Sequence, residues 1–236
     1  MVKIENLYKS YGKFEVLKGI TLEFKQGEIT AIVGPNGSGK TTLMKCILGL
    51  VQFEKGNIFI DSKDIRHDIK YREKIGYMPQ IGKYPENLKV HEVIDLIIQL
   101  SNNRNPKNLD DLIKLFNFES NLTKYVKNLS GGSIQKLSAI LAFLFDTKLY
   151  ILDEPTAGLD PIATVDLKNL IGKKRDEGAT FVIVSHQLTE VESYADNLVF
   201  LLEGKVVIDS PIKDFILSTK KQHLEDAVID FLKGEN

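Results

Sequence analysis

The chain has 236 residues, of which 31 are lysine or arginine and 32 are acidic, so its net charge is −1. Because nucleic-acid-binding proteins usually carry a basic excess, this balance argues against a nucleic-acid partner. Apolar residues make up 43% of the sequence, which is enough for an ordinary globular core. The single cysteine, Cys46, excludes a disulfide framework and a multi-cysteine metal site.

The sequence shows neither a secretory signal nor a membrane-spanning segment. The N-terminal residues lack the apolar core of a secretory signal, and the sequence has no run of about 18 apolar residues. We therefore expect a cytoplasmic protein that is soluble or peripheral to a membrane.

The first 24 residues predict two strands. Val2, Ile4, Asn6 and Tyr8 alternate with residues of the other face, and the segment 17–24 alternates again. The segment 28–33 is then a short apolar run, typical of a buried strand.

A glycine-rich turn and a helix over 41–48, ended by Gly49, follow that run. The segments 149–152 and 180–184 are β-branched or apolar throughout, and each precedes a polar turn and a helical pattern. Apolar strands that alternate with helices indicate a parallel sheet covered on both faces.

The middle of the chain has a different pattern. Helical periodicity appears over 90–100, 109–116 and 133–145, with a polar loop over 101–108 and little strand signal. We therefore predict an α/β fold with N-terminal antiparallel strands, a mixed or parallel sheet, and an inserted, mostly helical lobe. The predicted single domain has these parts: a core from about 1–80 and 146–210, a helical lobe over 81–145, and a short C-terminal extension over 211–236.

One motif lies between a predicted strand and a predicted helix: Gly34-Pro35-Asn36-Gly37-Ser38-Gly39-Lys40-Thr41. It satisfies the phosphate-loop pattern G-x-x-x-x-G-K-[ST] in the context that the pattern requires, which indicates a P-loop NTPase core. Its glycines allow successive N–H groups to converge on phosphate oxygens, and the helix N-terminus adds a positive dipole end. Lys40 would meet the β- and γ-phosphates, and Thr41 would offer its hydroxyl to Mg²⁺. The alternative is a glycine-rich turn that binds nothing.

Two acids, Asp153 and Glu154, end the apolar segment 149–152. Asp153 would hold Mg²⁺, directly or through water, and Glu154 would polarise the attacking water. Acids at a strand end also form helix caps and solvated turns, so this alternative stays open.

Leu129-Ser130-Gly131-Gly132 lies between these two motifs, and with it the chain resembles the ATP-binding subunits of ABC transporters over about residues 1–210. The resemblance follows the order of several separate motifs: Tyr11, the phosphate loop 34–41, Gln80, the signature 129–132, the acids 153–154, the turn 157–160 and His186. The sequence has Ser133 where this family commonly has glutamine and Phe143 where arginine is frequent.

The resemblance implies an ATPase with ATP and Mg²⁺ as its ligands. It assigns Tyr11 to stacking on adenine, with Tyr8 as a rival, and assigns Glu154, His186 and Gln80 to catalysis. The metal ligands would be Thr41, Gln80 and Asp153. The nucleotide contacts would be Tyr11, Gly34, Pro35, Asn36, Gly37, Ser38, Gly39, Lys40, Thr41, Thr42, Ser130, Gly131, Gly132 and Asp160.

The signature lies at the start of a predicted helix, where backbone N–H groups favour an anion. The resemblance implies that this anion is the ATP held by a second ATPase subunit, either an identical copy or a paralogue. The alternative is that Ser130 is a helix cap and nothing more.

Two function classes share such a core. The first is a transport ATPase bound to transmembrane permease subunits, peripheral on the inner face of the cell membrane through them. The second is a soluble ABC-type ATPase, for example in iron–sulfur cluster assembly. The segment from Leu129 to Pro161 resembles exporter-type ATPases, and we expect Ile81 and Tyr84 to pack on a helix of the membrane partner.

Overall fold

A computed structural model describes residues 1–101 and 105–234. Residues 102–104 of the predicted polar loop lie outside the described residues. The elements in chain order are β1 (Val2–Tyr11), β2 (Phe14–Phe24), β3 (Ile29–Val33), α1 (Lys40–Ile47), β4 (Lys55–Ile60), β5 (Lys63–Asp64), β6 (Ile75–Met78), α2 (Val90–Leu100), α3 (Leu109–Leu115), α4 (Gly131–Phe143), β7 (Leu149–Asp153), α5 (Pro161–Asp176), β8 (Thr180–Val184), α6 (Leu188–Glu192), β9 (Asn197–Leu202), β10 (Lys205–Pro211), α7 (Ile212–Thr219) and α8 (Leu224–Gly234).

The backbone divides into two compact units. The first unit is Met1–Arg72 with Thr180–Asn236, and the second unit is Glu73–Ala179. The second unit therefore contains β6, β7 and α5 in addition to the helices of the predicted lobe. The predicted C-terminal extension belongs to the first unit. The assignment of the whole chain to one domain stays a prediction.

The first unit contains an antiparallel sheet in the order β2-β1-β4-β5. Its strand β1 has an irregular register after Ile4, and Asn6 adopts a left-handed φ of 49°. The predicted alternation through Asn6 and Tyr8 is therefore wrong, because a bulge inserts a residue and moves Leu7 to the buried face.

Among the other strands of the first unit, β3 lies between β8 and β9 and is parallel to both. Strand β10 is antiparallel to β9. Every residue of β3 and β8 is buried, as the continuous apolar runs predicted. Helices α7 and α8 cover this sheet through one apolar cluster: Ala31, Val33, Val191, Leu198, Phe200, Ile208, Ile212, Phe215, Leu224, Ala227 and Val228. The C-terminal segment is thus part of the core of this unit.

Helix α1 ends at the glycine that the sequence predicted. Gly49 has a φ of 64°, and its N–H donates to the carbonyl of Cys46 over 3.0 Å. The N–H of Leu50 donates to the carbonyl of Lys45 over 2.8 Å. This pair of bonds is a Schellman cap, which satisfies two carbonyls at the helix end.

The second unit is built on β6 and β7, which pair in parallel, with α4 packed against β6. The rings of Phe143 and Tyr150 stack with their centroids 4.7 Å apart. Helix α2 has the predicted bounds, whereas α4 begins at Gly131, two residues before its predicted start. The signature glycines therefore lie in the first turn of α4.

Candidate nucleotide-binding site

The phosphate loop joins β3 to α1 in the first unit, and its glycines are required by its backbone. Gly34 has a φ of 151°, and a Cβ at this position would lie 2.1 Å from the carbonyl oxygen of Leu201. Gly39, at the N-terminus of α1, has a φ of 106°. L-residues rarely adopt such angles, so glycine is what allows the strand to turn directly into the helix.

The side chains of the loop provide positive charge and a hydroxyl. The Lys40 ammonium donates to the carbonyls of Gly34 over 2.7 Å and of Pro35 over 2.9 Å, which places it over the loop. The Ser38 hydroxyl is buried and has no hydrogen-bond partner among the described residues. Because an unpaired buried hydroxyl is costly, it fits a ligand that brings its own oxygens. Thr41 is exposed and Thr42 is half-buried.

The two tyrosines that are candidates for an adenine platform differ in exposure. Tyr11 ends β1 and is 49% exposed, with the Lys9 ammonium 5.1 Å from its ring centroid. Tyr8 is half-buried within the antiparallel sheet, beside the Lys55 ammonium. A flat, exposed ring can stack on a base, so the exposures favour Tyr11.

His186 lies in the same unit as the phosphate loop. It follows β8, which pairs in parallel with β3, and the Ser185 N–H donates to the Ile32 carbonyl over 3.2 Å. Since the carboxyl ends of parallel neighbours share one edge of a sheet, His186 and the loop that begins at Gly34 leave the same edge.

The acid pair lies in the second unit, at the end of β7. Asp153 and Glu154 are both buried, and Glu154 has a left-handed φ of 51°. The carbonyl of Glu154 accepts from the Ala157 N–H over 3.1 Å, which closes a turn. The two acids therefore lie in a turn, but they are buried, so the alternative of a solvated turn does not match the structure. Burial raises the pKa of Tyr77 on β6, and the nearby Asp153 charge adds to that shift.

Gln80 follows β6, two residues beyond its last residue, and is exposed. The parallel register pairs Met78 with Leu152, so Gln80 and the acid pair leave the same edge of the two strands. Ile81 is exposed, as expected for a docking residue. Tyr84 is half-buried instead, and its hydroxyl donates to the Ser138 hydroxyl of α4 over 2.9 Å.

The signature begins helix α4. The Ser130 hydroxyl accepts from the Ser133 N–H over 3.3 Å and lies 3.0 Å from the Ser133 hydroxyl, so Ser130 is an N-cap. Gly131 is exposed, and a Cβ there would meet nothing within 4 Å. The cap that the sequence offered as an alternative is therefore present, and it leaves the exposed first turn open to a second role.

Asp160 is held by two contacts of its own unit. Its carboxylate accepts from the Ala163 N–H over 2.9 Å at the start of α5 and pairs with the Lys136 ammonium over 2.7 Å. The Ala163 N–H and then Lys136 hold the pKa of this carboxyl below its usual value. Asp160 thus caps α5 and joins it to α4.

One residue near the acids was missed by sequence reasoning. Gln135 of α4 is buried, and its amide donates to the carbonyls of Glu154 over 3.3 Å and Pro155 over 3.4 Å. In the sequence, Gln135 is a single amide two residues before the mostly apolar run from Leu137 to Phe143. This pattern indicates a polar residue beside a core, but it does not identify the hydrogen-bond partner.

A glycine loop with a buried lysine between a strand and a helix, with an acid pair at the end of a second buried strand, defines a P-loop nucleotide-binding protein. The family model of the ABC transporter matches residues 17–157, more than half of the chain. The chain belongs to the ABC transporter family as an ATP-binding subunit, and it is an ATPase.

The relatives agree with this assignment. The lantibiotic transport ATP-binding protein SrtF of Streptococcus pyogenes is 36% identical over 212 residues, which cover 89% of this chain and 90% of SrtF. The arginine transport ATP-binding protein ArtM of Bacillus subtilis is 30% identical over 234 residues, which cover 96% of this chain and 98% of ArtM. Both are transport proteins, which favours the transport class over the soluble class.

Solved structures agree as well. An ATP-binding subunit of an ABC transporter has a TM-score of 0.92 at 28% identity and covers 98% of this chain and 99% of its own. A dimeric cassette in a post-hydrolysis state, bound to ADP and phosphate, has a TM-score of 0.81 at 26% identity over 89% of this chain and 98% of its own. Within residues 1–101 and 105–234, each helix is too short or too polar to cross a bilayer.

Proposed function

We propose that this subunit hydrolyses Mg²⁺-ATP through the matched family residues and drives transport through membrane subunits. The observation that carries the proposal is the phosphate loop, with the Lys40 ammonium over its carbonyls and the buried Ser38 hydroxyl. Lys40 exchanges those carbonyls for the β- and γ-phosphates when ATP binds, and the loop N–H groups bind the same oxygens. Tyr11 stacks on the adenine ring.

The oxygen donors of the chain suit Mg²⁺. The Thr41 hydroxyl, the Gln80 amide oxygen and the Asp153 carboxylate are hard ligands of the kind that Mg²⁺ binds. When bound, Mg²⁺ neutralises charge on the β- and γ-phosphate oxygens. Thr41 leaves the first turn of α1, and Asp153 ends β7.

Glu154 polarises the attacking water. Its carboxylate accepts a hydrogen bond from that water and orients it toward the γ-phosphate, while His186 donates to the γ-phosphate oxygens. The burial of Glu154 supports this role, because a carboxylate in a surrounding of low dielectric constant acts more strongly on a water than an exposed one.

A second ATPase subunit, identical or a paralogue, completes each site. Ser130 and the N–H groups of Gly131 and Gly132 bind the ATP of that second subunit. Asp160, in the turn before α5, provides a further nucleotide contact. The exposed first turn of α4 supports this role, and so does the dimeric structure of the post-hydrolysis cassette.

Membrane subunits select the cargo and hold this chain peripherally at the inner face of the membrane. The transport functions in the relatives' names support membrane partners. Export is the proposed direction, and it rests on the resemblance of the segment from Leu129 to Pro161 to exporter-type ATPases. The exposed Ile81 and the half-buried Tyr84, whose hydroxyl donates to Ser138, are the proposed docking residues.

The substitution Glu154→Gln tests the proposed function. It keeps the side-chain shape and removes the acceptor charge, so ATP should still bind while turnover falls by about 10²–10⁴-fold. Because ATP then persists, gel filtration with Mg²⁺-ATP should give a dimer for the variant and mostly monomer for the wild type.

The matched control is Glu119→Gln, the same chemical change at an exposed residue of the second unit, which should leave turnover unchanged. Full hydrolysis by Glu154→Gln would contradict the assignment of Glu154. A wild-type chain that never purifies with a membrane protein would contradict the transport role.

A further inference from the structure

The buried amide of Gln135 has a specific set of partners in the second unit. Gln135 lies inside α4 and is 4% exposed. Its amide nitrogen donates to the carbonyl of Glu154 over 3.3 Å and to that of Pro155 over 3.4 Å. A buried amide must find hydrogen-bond partners, and these two lie directly in the turn of the acid pair.

The backbone of Glu154 needs such support. Its φ of 51° is left-handed, which is costly for a residue with a Cβ and persists where the surroundings impose it. The orientation of the Glu154 carbonyl sets the rotation about its Cα–C bond. A donor that holds this carbonyl therefore also sets the direction in which the side chain leaves the backbone.

We infer that Gln135 is a positioning residue for Glu154, holding its backbone so that the carboxylate points at the attacking water. The inference rests on the proposed function, because it needs Glu154 to act on that water. Gln135 acts through Glu154, because its buried amide bonds to the backbone of the turn. The Lys136–Asp160 ion pair also joins α4 to this segment, so removing the amide does not detach the helix.

Two substitutions at this position test the inference. Gln135→Met keeps the length and volume of the side chain and removes the donor. Gln135→Glu keeps the shape and presents a carboxylate to two carbonyls. We expect kcat to fall by roughly 10- to 100-fold in Gln135→Met, as for a misplaced catalytic group, and further in Gln135→Glu.

The dissociation constant and KM for ATP should stay at the wild-type values in both variants, a split that a general loss of packing does not produce. Ile140→Val, a mild change at a buried residue of the same helix, is the control and should keep kcat. Wild-type kcat in both variants would overturn the inference. If neither variant folds, Gln135 is needed for folding and the inference is also overturned.

A double-substitution experiment separates this inference from the proposed function. Single-turnover rates are measured for Gln135→Met, Glu154→Gln and the pair. If Gln135 acts through Glu154, the pair should be no slower than Glu154→Gln alone. Losses that multiply would overturn the inference and leave Glu154 in its role. Wild-type turnover by Glu154→Gln would instead reject the role of Glu154, whatever Gln135 does.

Discussion

The phosphate loop of the first unit and the acid turn of the second unit hold their functional groups by different means. In the loop, the special backbone angles fall on glycines, and Lys40 bonds to carbonyls only five and six residues before it. In the acid turn, a left-handed angle falls on Glu154 itself, and Gln135 supports it from 19 residues away. The first geometry depends on glycines that can adopt these angles, whereas the second depends on a donor from a packed helix.

This difference predicts different sensitivities. A geometry that requires glycines should fail when a Cβ is added at one of them. The turn at Glu154 should instead fail when its distant donor, the Gln135 amide, is removed.

Gly34→Ala should give the largest effect. The added Cβ would meet the Leu201 carbonyl at 2.1 Å in a backbone conformation that alanine avoids, so the free energy of unfolding should fall by roughly 2–5 kcal/mol. Chemical denaturation measures this change. The matched variant is Gly131→Ala, where a Cβ meets nothing within 4 Å, and its stability should stay the same or rise slightly. Equal stability of the two variants would contradict the conclusion that the backbone requires glycine at position 34 but not at position 131.

Lys40→Ala should have the next largest effect, on ATP binding. Removing the charge-assisted contacts to the β- and γ-phosphates should cost about 1.5–3 kcal/mol of binding free energy, measured by calorimetry. Lys45→Ala, at an exposed position on the same helix, is the control and should bind ATP as the wild type does. ATP binding by Lys40→Ala at wild-type strength would contradict the role of Lys40 in holding the phosphates.

The same contrast explains what could be predicted from the sequence. The strand, loop and helix around Lys40 were predicted because the determining residues are consecutive. The role of Gln135 and the contribution of α7 and α8 to the core of the first unit were not predicted, because both depend on which distant segments pack together. The bulge at Asn6 was missed because an asparagine in a left-handed conformation leaves no pattern in the alternation.

Asp160→Asn should give the smallest effect, visible in the pH dependence of stability. The folded-state pKa of Asp160 lies below its usual value, first because of the Ala163 N–H and then because of Lys136. The ionised carboxylate therefore adds stability above the unfolded-state pKa of about 4, and this stability is lost as pH falls through the folded-state pKa. The wild type should melt slightly above Asp160→Asn at pH 7, and the difference should vanish in acid. A difference in melting temperature that grows on acidification would contradict the lowered pKa of Asp160.

We propose that each active site combines the phosphate loop of one chain with the signature of another. Mixing two defective variants tests this arrangement. Lys40→Ala removes the phosphate contact of its own loop, and Ser130→Phe blocks the signature with a ring. Each variant alone should hydrolyse almost no ATP.

In a mixed dimer, the intact loop of the Ser130→Phe chain meets the intact signature of the Lys40→Ala chain, which restores one site. We expect the mixture to regain clear ATP turnover in a phosphate-release assay. A mixture that stays at the summed rate of the two separate variants would contradict the claim, because sites built within single chains would all remain defective.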